Sequence, residues 1–447
     1  MTFGEFIQRH IKITLGSILL LAFFLRLFSI LFLKIVPSSD ALDYHQLACN
    51  LVEFGRYEFH GMLTAYRPPG FPFFLSAIYF FTEQSLFAAQ IAQAVLETIQ
   101  CLFLFILGKK LFSPLVGCIS ACFWASYPVS VIQSNFLMSE PLLGCLLLGS
   151  VVLILSDLFS SKTGIILLGI VWGCAALTKP FFILAPFPLI IWMLWRRTSF
   201  KKIILTNLAI MVVMGCVTAP WLFRNIYIFH KPMISSNGGV NFWIGNNDNA
   251  SGGLRVDLKN DPFENIHSEV ELDSAGYALG RKFISARPLD AIKLVPKKFA
   301  HLFSSESPFA VYLKHRPLTN RDKRYATLYI ETPLFSHLAF NLHYVFFMFT
   351  GILGLFFMQG KRASEAQLML LFIASWIGIH LIFFGSHRFH YPLMPFFVLA
   401  SAYLITNFKQ IEFKAQLWKM LIAVAFIIGF IAIILAEVLT VIARGTG

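Results

Sequence analysis

Charged residues are scarce in this chain. Asp, Glu, Lys and Arg together make up 13% of its 447 residues, whereas soluble globular domains carry roughly 25%. Hydrophobic residues reach 57%, and the mean hydropathy is +0.71. This composition excludes an ordinary soluble domain and predicts an all-α polytopic membrane protein.

Cysteine is nearly missing from the polar segments. Only Cys49 lies in a polar loop, and the other six cysteines fall inside apolar segments. No CxxC spacing occurs, so the sequence predicts neither a disulfide framework nor a zinc site of that kind. The HxxH pattern at His387 and His390 is a weak metal signal, and histidines at the level of the lipid headgroups explain it better.

The positive charge is distributed as in a membrane protein. The formal net charge is +13, but fourteen Lys and Arg lie in short loops that are cytoplasmic if the N-terminus is cytoplasmic. Only five lie in the short outer segments, and this bias predicts that the N-terminus is cytoplasmic. The first external loop and the longer segment from Arg224 to Ser336 are therefore expected outside, and no nucleic-acid partner is predicted.

About 11 transmembrane helices are predicted, because a span needs about 20 apolar residues. The segments are approximately 13–36, 86–108, 114–134, 138–158, 164–179, 180–195, 203–223, 337–358, 366–385, 390–407 and 418–442. They divide the chain into an N-terminal transmembrane bundle with a catalytic first external loop, an external cap region, and C-terminal transmembrane helices: 1–223 with the loop at 37–85, 224–336, and 337–447.

The first external loop begins with two carboxylates. Asp40 and Asp43 open a predicted interfacial helix whose apolar stripe includes Tyr44 and which Gly55 ends. Three residues apart, both carboxylates can face one ligand. The alternative, which periodicity alone favours, is a helix cap with Asp40 as N-cap and Asp43 at the third helical position.

A fixed cation follows in the same loop. Arg67 precedes Pro-Pro-Gly and a short apolar stretch from Phe71 to Phe81 that is too short to span. An arginine at this level can bind a phosphate in bidentate fashion. Contact with ordinary lipid headgroups is the alternative, and the sequence does not separate the two.

Further polar residues lie at or inside the predicted spans. Glu97 shares a helical face with three glutamines, which indicates a hydrogen-bonded contact between helices. Glu140, Lys179 and Arg388 lie at the outer ends of spans that are far apart in sequence. Together with Asp40, Asp43 and Arg67 they are what a site for an anionic lipid and a hydroxyl acceptor requires.

Eight short motifs occur along the chain. They are Asp40-x-x-x-Tyr44-x-x-x-Ala48, RPPGFP at 67–72, SEP at 139–141, LTKP at 177–180, APWLFRN at 219–225, GVNFWIGNN at 239–247, SEVELD at 268–273 and RFHYPLMP at 388–395. In this order they resemble the GT-C superfamily of integral-membrane glycosyltransferases. The resemblance covers nearly the whole chain and is strongest to the bacterial branch similar to protein O-mannosyltransferases and lipid A aminoarabinose transferases.

The resemblance implies a function. A sugar would move from a polyprenyl-phosphate donor to a hydroxyl of a glycolipid, polysaccharide or protein, with inversion, on the non-cytoplasmic face of a bacterial cytoplasmic (inner) membrane. Asp40 would act as general base or orient the acceptor, with Asp43 beside it. Phosphate binding would fall to Arg67, Lys179 and Arg388, and further donor or acceptor contacts to Tyr44, Glu140, Arg224, Asn225 and His387.

The chain departs from the family pattern at one position. Many relatives carry an acidic residue directly after the first-loop aspartate, where this chain has Ala41, and whether Asp43 substitutes is open. No obligatory metal or other cofactor is predicted, although some GT-C enzymes use a divalent ion. An envelope polysaccharide polymerase or ligase is the main alternative function. A transporter of a lipid-linked substrate is a weaker one, because the sequence shows no inverted repeat.

Overall fold

The computed structural model describes residues 9–254, 261–314, 325–358, 363–411 and 417–445. Their regular structure is almost entirely α-helical, which confirms the predicted fold class. Four of the positive charges used to predict orientation fall outside what is described: Lys361, Arg362, Lys414 and the side chain of Arg444.

The first half of the chain supplies ten helices, each given a number in chain order. They are α1 Ile11–Leu33, α2 Asp40–Phe54, α3 Gly70–Thr82, α4 Leu86–Leu111, α5 Pro114–Ser126, α6 Pro128–Gln133, α7 Glu140–Leu155, α8 Lys162–Thr178, α9 Pro186–Trp195 and α10 Phe200–Phe229. Between α2 and α3 a small antiparallel hairpin pairs two short strands, β1 Glu58–Phe59 and β2 Met62–Leu63.

The second half continues with the predicted cap region and the last apolar helices. They are α11 Gly238–Ile244, α12 Glu269–Ala286, α13 Pro288–Leu302, α14 Ser307–Lys314, α15 Tyr325–Glu331, α16 Leu334–Phe357, α17 Ala363–Ile382, α18 Met394–Asn407 and α19 Leu417–Gly445. Short 3-10 segments connect several of these elements: Asp157–Ser160, Pro180–Leu184, His387–Leu393 and Phe408–Gln410.

Six helices in the described part of the chain are long and apolar enough to cross a membrane. They are α1, α4, α10, α16, the stretch His387–Gln410, and α19 over Leu417–Leu439. Six shorter apolar helices accompany them, including α5, α7 and α8. The chain is therefore an all-α integral membrane protein, while the count of about 11 transmembrane helices stays a prediction.

The segment expected as one span over 114–134 is broken in two. Proline lacks a backbone N–H, so α5 ends before Pro128 and leaves carbonyl groups without helical partners. The fully buried guanidinium of Arg26, from α1, donates to the carbonyls of Trp124 and Ala125, each at 3.3 Å, and to Ser130 Oγ at 2.8 Å. The carbonyl groups at the break thereby have hydrogen-bond partners inside the bundle, which backbone polar groups within a membrane require.

The polar stripe on α4 is a contact between helices, as predicted. Tyr391 Oη donates to Glu97 Oε1 at 2.5 Å, and Trp124 Nε1 donates to Glu97 Oε2 at 3.2 Å. The glutamines at 90, 93 and 100 donate to backbone carbonyls of the neighbouring segments. Glu97 is fully buried with both carboxylate oxygens bonded, so it stabilises the bundle.

The predicted cap region, residues 224–336, is attached to the bundle by a buried lysine. Lys298, on α13, is 2% exposed and donates to Asn246 Oδ1 at 2.9 Å and to the Ile382 carbonyl, at the end of α17, at 3.1 Å. Next to it, α12 packs on α11 so closely that the Gly239 N–H donates to Asp273 Oδ1 at 2.6 Å. These contacts hold the helices of the cap region over the end of the bundle where the first loop lies.

Candidate active site

Two carboxylates from the first turn of α2 bind one arginine. Arg67 Nη2 donates to Asp40 Oδ1 at 2.6 Å and to Asp43 Oδ2 at 2.6 Å, while Arg67 Nε donates to Asp43 Oδ2 at 3.0 Å. The three-residue spacing does put both carboxylates on one side of the helix, as predicted. Arg67 also lies over the Tyr66 and Tyr44 rings, 5.2 and 5.7 Å from the ring centres.

A second arginine reaches the same aspartate from the other end of the sequence. Arg388 Nη1 donates to Asp40 Oδ2 at 2.6 Å. Asp40 is thus held between two guanidinium groups, and its side chain is 18% exposed. Burial by itself would raise the pKa of Asp40, but the charges and hydrogen bonds of Arg388 and Arg67 outweigh it and lower the pKa to about 2.

The capping alternative is wrong for Asp40. The residue in the N-cap position of α2 is Ser39, at φ 52°, and its side chain makes no capping hydrogen bond. Both oxygens of Asp40 and Oδ2 of Asp43 accept hydrogen bonds from arginines instead. Gly55 does end α2 as predicted, in the left-handed conformation at φ 65°.

A third ion pair lies beside this arginine–aspartate cluster of Asp40, Asp43, Arg67 and Arg388. Lys179 Nζ is 4.0 Å from Glu140 Oε1, and Glu140 is 2% exposed. Glu140 Oε1 accepts no hydrogen bond from the described residues. The Phe389 ring joins the two groups, because the Arg388 guanidinium lies 5.3 Å and Lys179 Nζ lies 5.8 Å from its centre. Six predicted site residues therefore lie close together.

Gly70, at the end of the RPPG turn, packs closely against the residues just before Lys179. A Cβ on Gly70 would lie 2.5 Å from Thr178 Oγ1, 2.6 Å from Thr178 N and 2.8 Å from the Leu177 carbonyl carbon. No side chain fits there without moving backbone. Gly70 thus allows the loop that carries Arg67 to pack directly against the end of α8 that carries Lys179.

We expect Gly70→Ala to destabilise the protein by ~1–3 kcal/mol and to lower activity, because α3 and α8 must separate to admit the methyl group. Thermal unfolding in detergent measures the first effect. Gly16→Ala is the matched control, since a Cβ there meets nothing within 4 Å. If Gly70→Ala unfolds at the same temperature as Gly16→Ala, the close contact does not hold these elements together.

Four other predicted residues have different surroundings. Tyr44 is 4% exposed, with its ring edge-on to Phe71 at 5.2 Å, and lines the cluster. His387 packs against Phe309, 5.8 Å between ring centres. Arg224 and Asn225 bind backbone and each other: Arg224 donates to the carbonyls of residues 57 and 64, and Asn225 Nδ2 to that of residue 233. Arg224 and Asn225 therefore fix backbone segments of the protein itself.

The cluster can bind an anion without losing all of its own bonds. Its three carboxylates and three cations, counting Glu140 and Lys179, have a formal charge of zero. A guanidinium carries five N–H donors, and the hydrogen bonds within the cluster use only part of those on Arg67 and Arg388. The remaining donors, with Lys179, could bind phosphate oxygens.

A divalent metal fits this cluster less well than an anion. No group of three or more His, Cys, Asp or Glu side chains in the described residues is arranged to hold a metal ion. Asp40 and Asp43, both largely buried, already have their charges matched by guanidinium groups. A metal there would have to displace an arginine.

Two contributors to the site were not predicted individually. Phe389 lies between Lys179 and Arg388, and Gly70 permits the contact between loop and helix. They stand inside the motifs RFHYPLMP and RPPGFP. Only the folded chain shows that one is a shared aromatic surface and the other a close backbone contact.

Residues 66–223 match the family model described as dolichyl-phosphate-mannose-protein mannosyltransferase. The match begins one residue before Arg67 and includes Glu140 and Lys179. It covers less than half of the chain. No curated protein was found similar in sequence.

The fold is similar to that of solved oligosaccharyltransferases from Archaeoglobus fulgidus. One is a complex with Zn and sulfate, at 15% identity and TM-score 0.51, covering 94% of this chain and 52% of that one. Another, tethered to an acceptor peptide containing the NVT sequon, gives 15% identity and TM-score 0.52, covering 96% and 55%. The apo form gives 16% identity and TM-score 0.51, covering 96% and 56%.

This chain spans about half the length of those oligosaccharyltransferase chains. At such identities the likeness establishes the fold alone. The family match and the shared fold together confirm the resemblance to GT-C glycosyltransferases, and the bacterial branch stays a prediction.

Proposed function

We propose that this chain, a membrane protein with a GT-C fold, transfers a sugar from a polyprenyl-phosphate donor to a hydroxyl acceptor with inversion. The observation that carries the proposal is Asp40 held between Arg67 and Arg388, at 2.6 Å from each. The two groups that such a reaction needs, a carboxylate and fixed cations, are here in direct contact. The family match over residues 66–223 supports the same reaction class.

In the proposed reaction, the acceptor hydroxyl oxygen attacks the anomeric carbon as the bond from that carbon to the phosphate oxygen breaks. The polyprenyl phosphate leaves with the bonding electron pair, and Asp40 takes the hydroxyl proton. Arg67, Arg388 and Lys179 stabilise the charge that develops on the phosphate. Attack from the face opposite the leaving group gives inversion.

The donor itself would make Asp40 a better base. With a pKa of about 2, the doubly paired carboxylate is ionised but has little affinity for a proton. A phosphate bound to the remaining donors of Arg67 and Arg388 would compete with Asp40 for the two guanidinium groups and add negative charge beside it. Both changes raise the proton affinity of Asp40 at the step that needs it. Glu140, with one unbonded oxygen, would bind donor or acceptor hydroxyls.

The acceptor class and the side of the membrane belong to the same proposal. The acceptor would be a glycolipid, a glycan or a protein, and membrane lipid would surround the site. The excess of Lys and Arg in the opposite loops supports a site on the external face of a bacterial inner membrane. We propose no obligatory metal, because the cations that a leaving phosphate needs are already present as side chains.

A donor comparison tests the proposal. Purified full-length protein in liposomes receives a radiolabelled hexose on a polyprenyl monophosphate, and a detergent extract of cell envelopes supplies lipid, glycan and protein acceptors. We expect label to move into one acceptor fraction while free polyprenyl phosphate appears in equal amount. The measurement is the radioactivity in each fraction over time.

A parallel reaction distinguishes the main alternative. A polyprenyl pyrophosphate-linked oligosaccharide is the substrate class of a polymerase or ligase. Transfer from this donor, without transfer from the monophosphate sugar, would replace the proposed function with that alternative. Label that crosses the liposome membrane without leaving its lipid would indicate a transporter.

A further inference from the structure

The segment just before the RPPG turn is fixed by the end of α10 and by residues that follow it in the cap region. Arg224 Nη1 donates to the Thr64 carbonyl at 2.8 Å, and Arg224 Nη2 donates to the Tyr57 carbonyl at 3.0 Å. The Ser236 N–H donates to the Ala65 carbonyl at 2.9 Å. Groups from beyond α9 therefore bind three carbonyls of the first loop within about ten residues of the cluster.

One carboxylate of the external region binds the donors of the same segment. Glu269, in the first turn of α12, accepts from Thr64 Oγ1 at 2.6 Å through Oε2 and from the Ala65 N–H at 2.7 Å through Oε1. Thr64 Oγ1 in turn accepts from the Tyr66 N–H at 2.9 Å. Glu269 and the Thr64 hydroxyl thus fix residues 64–66, directly before Arg67, through a chain of hydrogen bonds. Those to the Glu269 carboxylate are of the stronger kind, because the acceptor is charged.

Tyr57 continues this arrangement to Arg67 itself. Its hydroxyl donates to the Arg67 carbonyl at 2.8 Å, and its own carbonyl is the one that Arg224 binds. The Tyr57 ring is 3% exposed and packs 4.8 Å from the Trp221 ring. Arg67 therefore has its backbone fixed on both sides, by Glu269 through residues 64–66 and by Tyr57 at its own carbonyl.

We propose that Glu269 is a positioning residue that sets the affinity of the site for the phosphate of a lipid carrier by holding the backbone from which Arg67 projects. This rests on the proposed function, because it assumes that Arg67 binds that phosphate. Glu269 makes its contacts with loop atoms and acts through Arg67. The SEVELD segment, which the resemblance left without a role, thereby acquires one.

The effect of a positioning residue differs from that of a residue that only stabilises the fold. A displaced guanidinium binds a phosphate less well, while apolar binding of the lipid chain is unaffected. Loss of general stability would reduce both kinds of binding together. The difference in binding affinity between a lipid with a phosphate and the same lipid without it therefore isolates the role of Glu269.

The test is a binding measurement on detergent-purified full-length protein with two probes, a short polyprenyl monophosphate and the corresponding polyprenol. We expect Glu269→Ala to weaken binding of the monophosphate by roughly tenfold and to leave binding of the polyprenol unchanged. Glu269→Gln keeps one acceptor oxygen and should restore part of the loss. Glu271→Ala, an exposed glutamate two residues further along α12, is the matched control.

A second substitution tests whether the effect passes through the loop. Thr64→Val removes the hydroxyl that Glu269 binds without changing side-chain volume much, and it should produce part of the same selective loss. In an Arg67→Met background, Glu269→Ala should have no further effect on monophosphate binding, because residues that act through one group are not additive.

The outcomes are distinct. If wild-type protein binds the monophosphate no better than the polyprenol, the proposed function fails and this inference fails with it. If wild type prefers the monophosphate but Glu269→Ala and Thr64→Val keep that preference, the inference alone is overturned. The same holds if Glu269→Ala weakens both probes equally, or if it still weakens monophosphate binding when Arg67 is absent.

Discussion

The Asp40→Asn variant is expected to lose sugar transfer by ~10²- to 10⁴-fold, the range over which a positioned general base contributes. Asparagine has nearly the same shape and can still accept a hydrogen bond from Arg67 or Arg388, but it cannot take a proton. The structure rules out a capping role for Asp40, so the loss would not come from helix fraying. The measurement is the initial transfer rate at saturating donor, with equal amounts of folded protein.

Asp43→Asn provides the comparison for this experiment. Among the residues that the structure describes, Asp43 binds Arg67 alone, whereas Asp40 binds both arginines. We expect the Asp43 variant to raise the KM for the donor, because Arg67 loses one of its two carboxylate partners, and to change kcat less. If the Asp40 variant transfers sugar within a factor of a few of wild type, Asp40 is not the base, and Glu140 is the next candidate.

The pH dependence separates the free enzyme from the donor complex. The pKa of Asp40 is lowered from 3.8 to about 2 in the donor-free protein, so it is fully ionised above about pH 4. kcat/KM reports groups of the free enzyme and should show no acid limb from Asp40 between pH 5 and 8. kcat reports groups of the donor complex, in which the bound phosphate should raise the pKa of Asp40. The acid limb of kcat should therefore lie at a higher pH than that of kcat/KM.

The same lowered pKa has a consequence for stability, with a definite sign. Because the folded-state pKa lies below the unfolded value, the ion pairs of Asp40 stabilise the protein above about pH 4. That contribution is lost as the pH falls from about 4 towards 2. The Asp40→Asn variant lacks it at every pH, so its unfolding temperature should change less than that of wild type across this range.

The sequence predicted the membrane helices and the gathering of the charged residues better than it predicted their contacts. Apolar segments are long, so their order along the chain follows from hydropathy alone. The break at Pro128 was missed, because whether a proline ends a span depends on a partner for the freed carbonyls. That partner, Arg26, comes from another helix.

Roles of single residues depended on contacts that spacing does not reveal. Asp40 and Asp43 satisfy the sequence pattern of a helix cap, yet their oxygens bind arginines 24 to 348 residues away. Arg224, expected near the donor or acceptor, binds loop carbonyls instead. Long-range pairs of this kind are set by tertiary packing, and a single sequence carries no signal for them.

Arg388→Gln is expected to lower kcat/KM for the donor by ~10²- to 10³-fold, the loss typical of removing one group that stabilises developing charge. In the proposed reaction the arginine has two effects that oppose each other. It would stabilise the leaving phosphate, but it also lowers the pKa of Asp40 by direct contact at 2.6 Å. Removing it would make Asp40 a stronger base in the free enzyme while the leaving group loses a cation.

The loss should prevail, because the phosphate of the proposed donor would already weaken the pairing of Arg388 with Asp40 when it binds, so much of the gain in basicity would be present in wild type at the moment of reaction. Arg388→Lys keeps the charge but not the planar fork of donors, and should fall between wild type and the Gln variant. Arg281→Gln, an exposed cation on α12, is the control for lost charge alone. An Arg388→Gln variant with unchanged kcat/KM would mean that Arg388 holds Asp40 in the resting protein and takes no part in transfer.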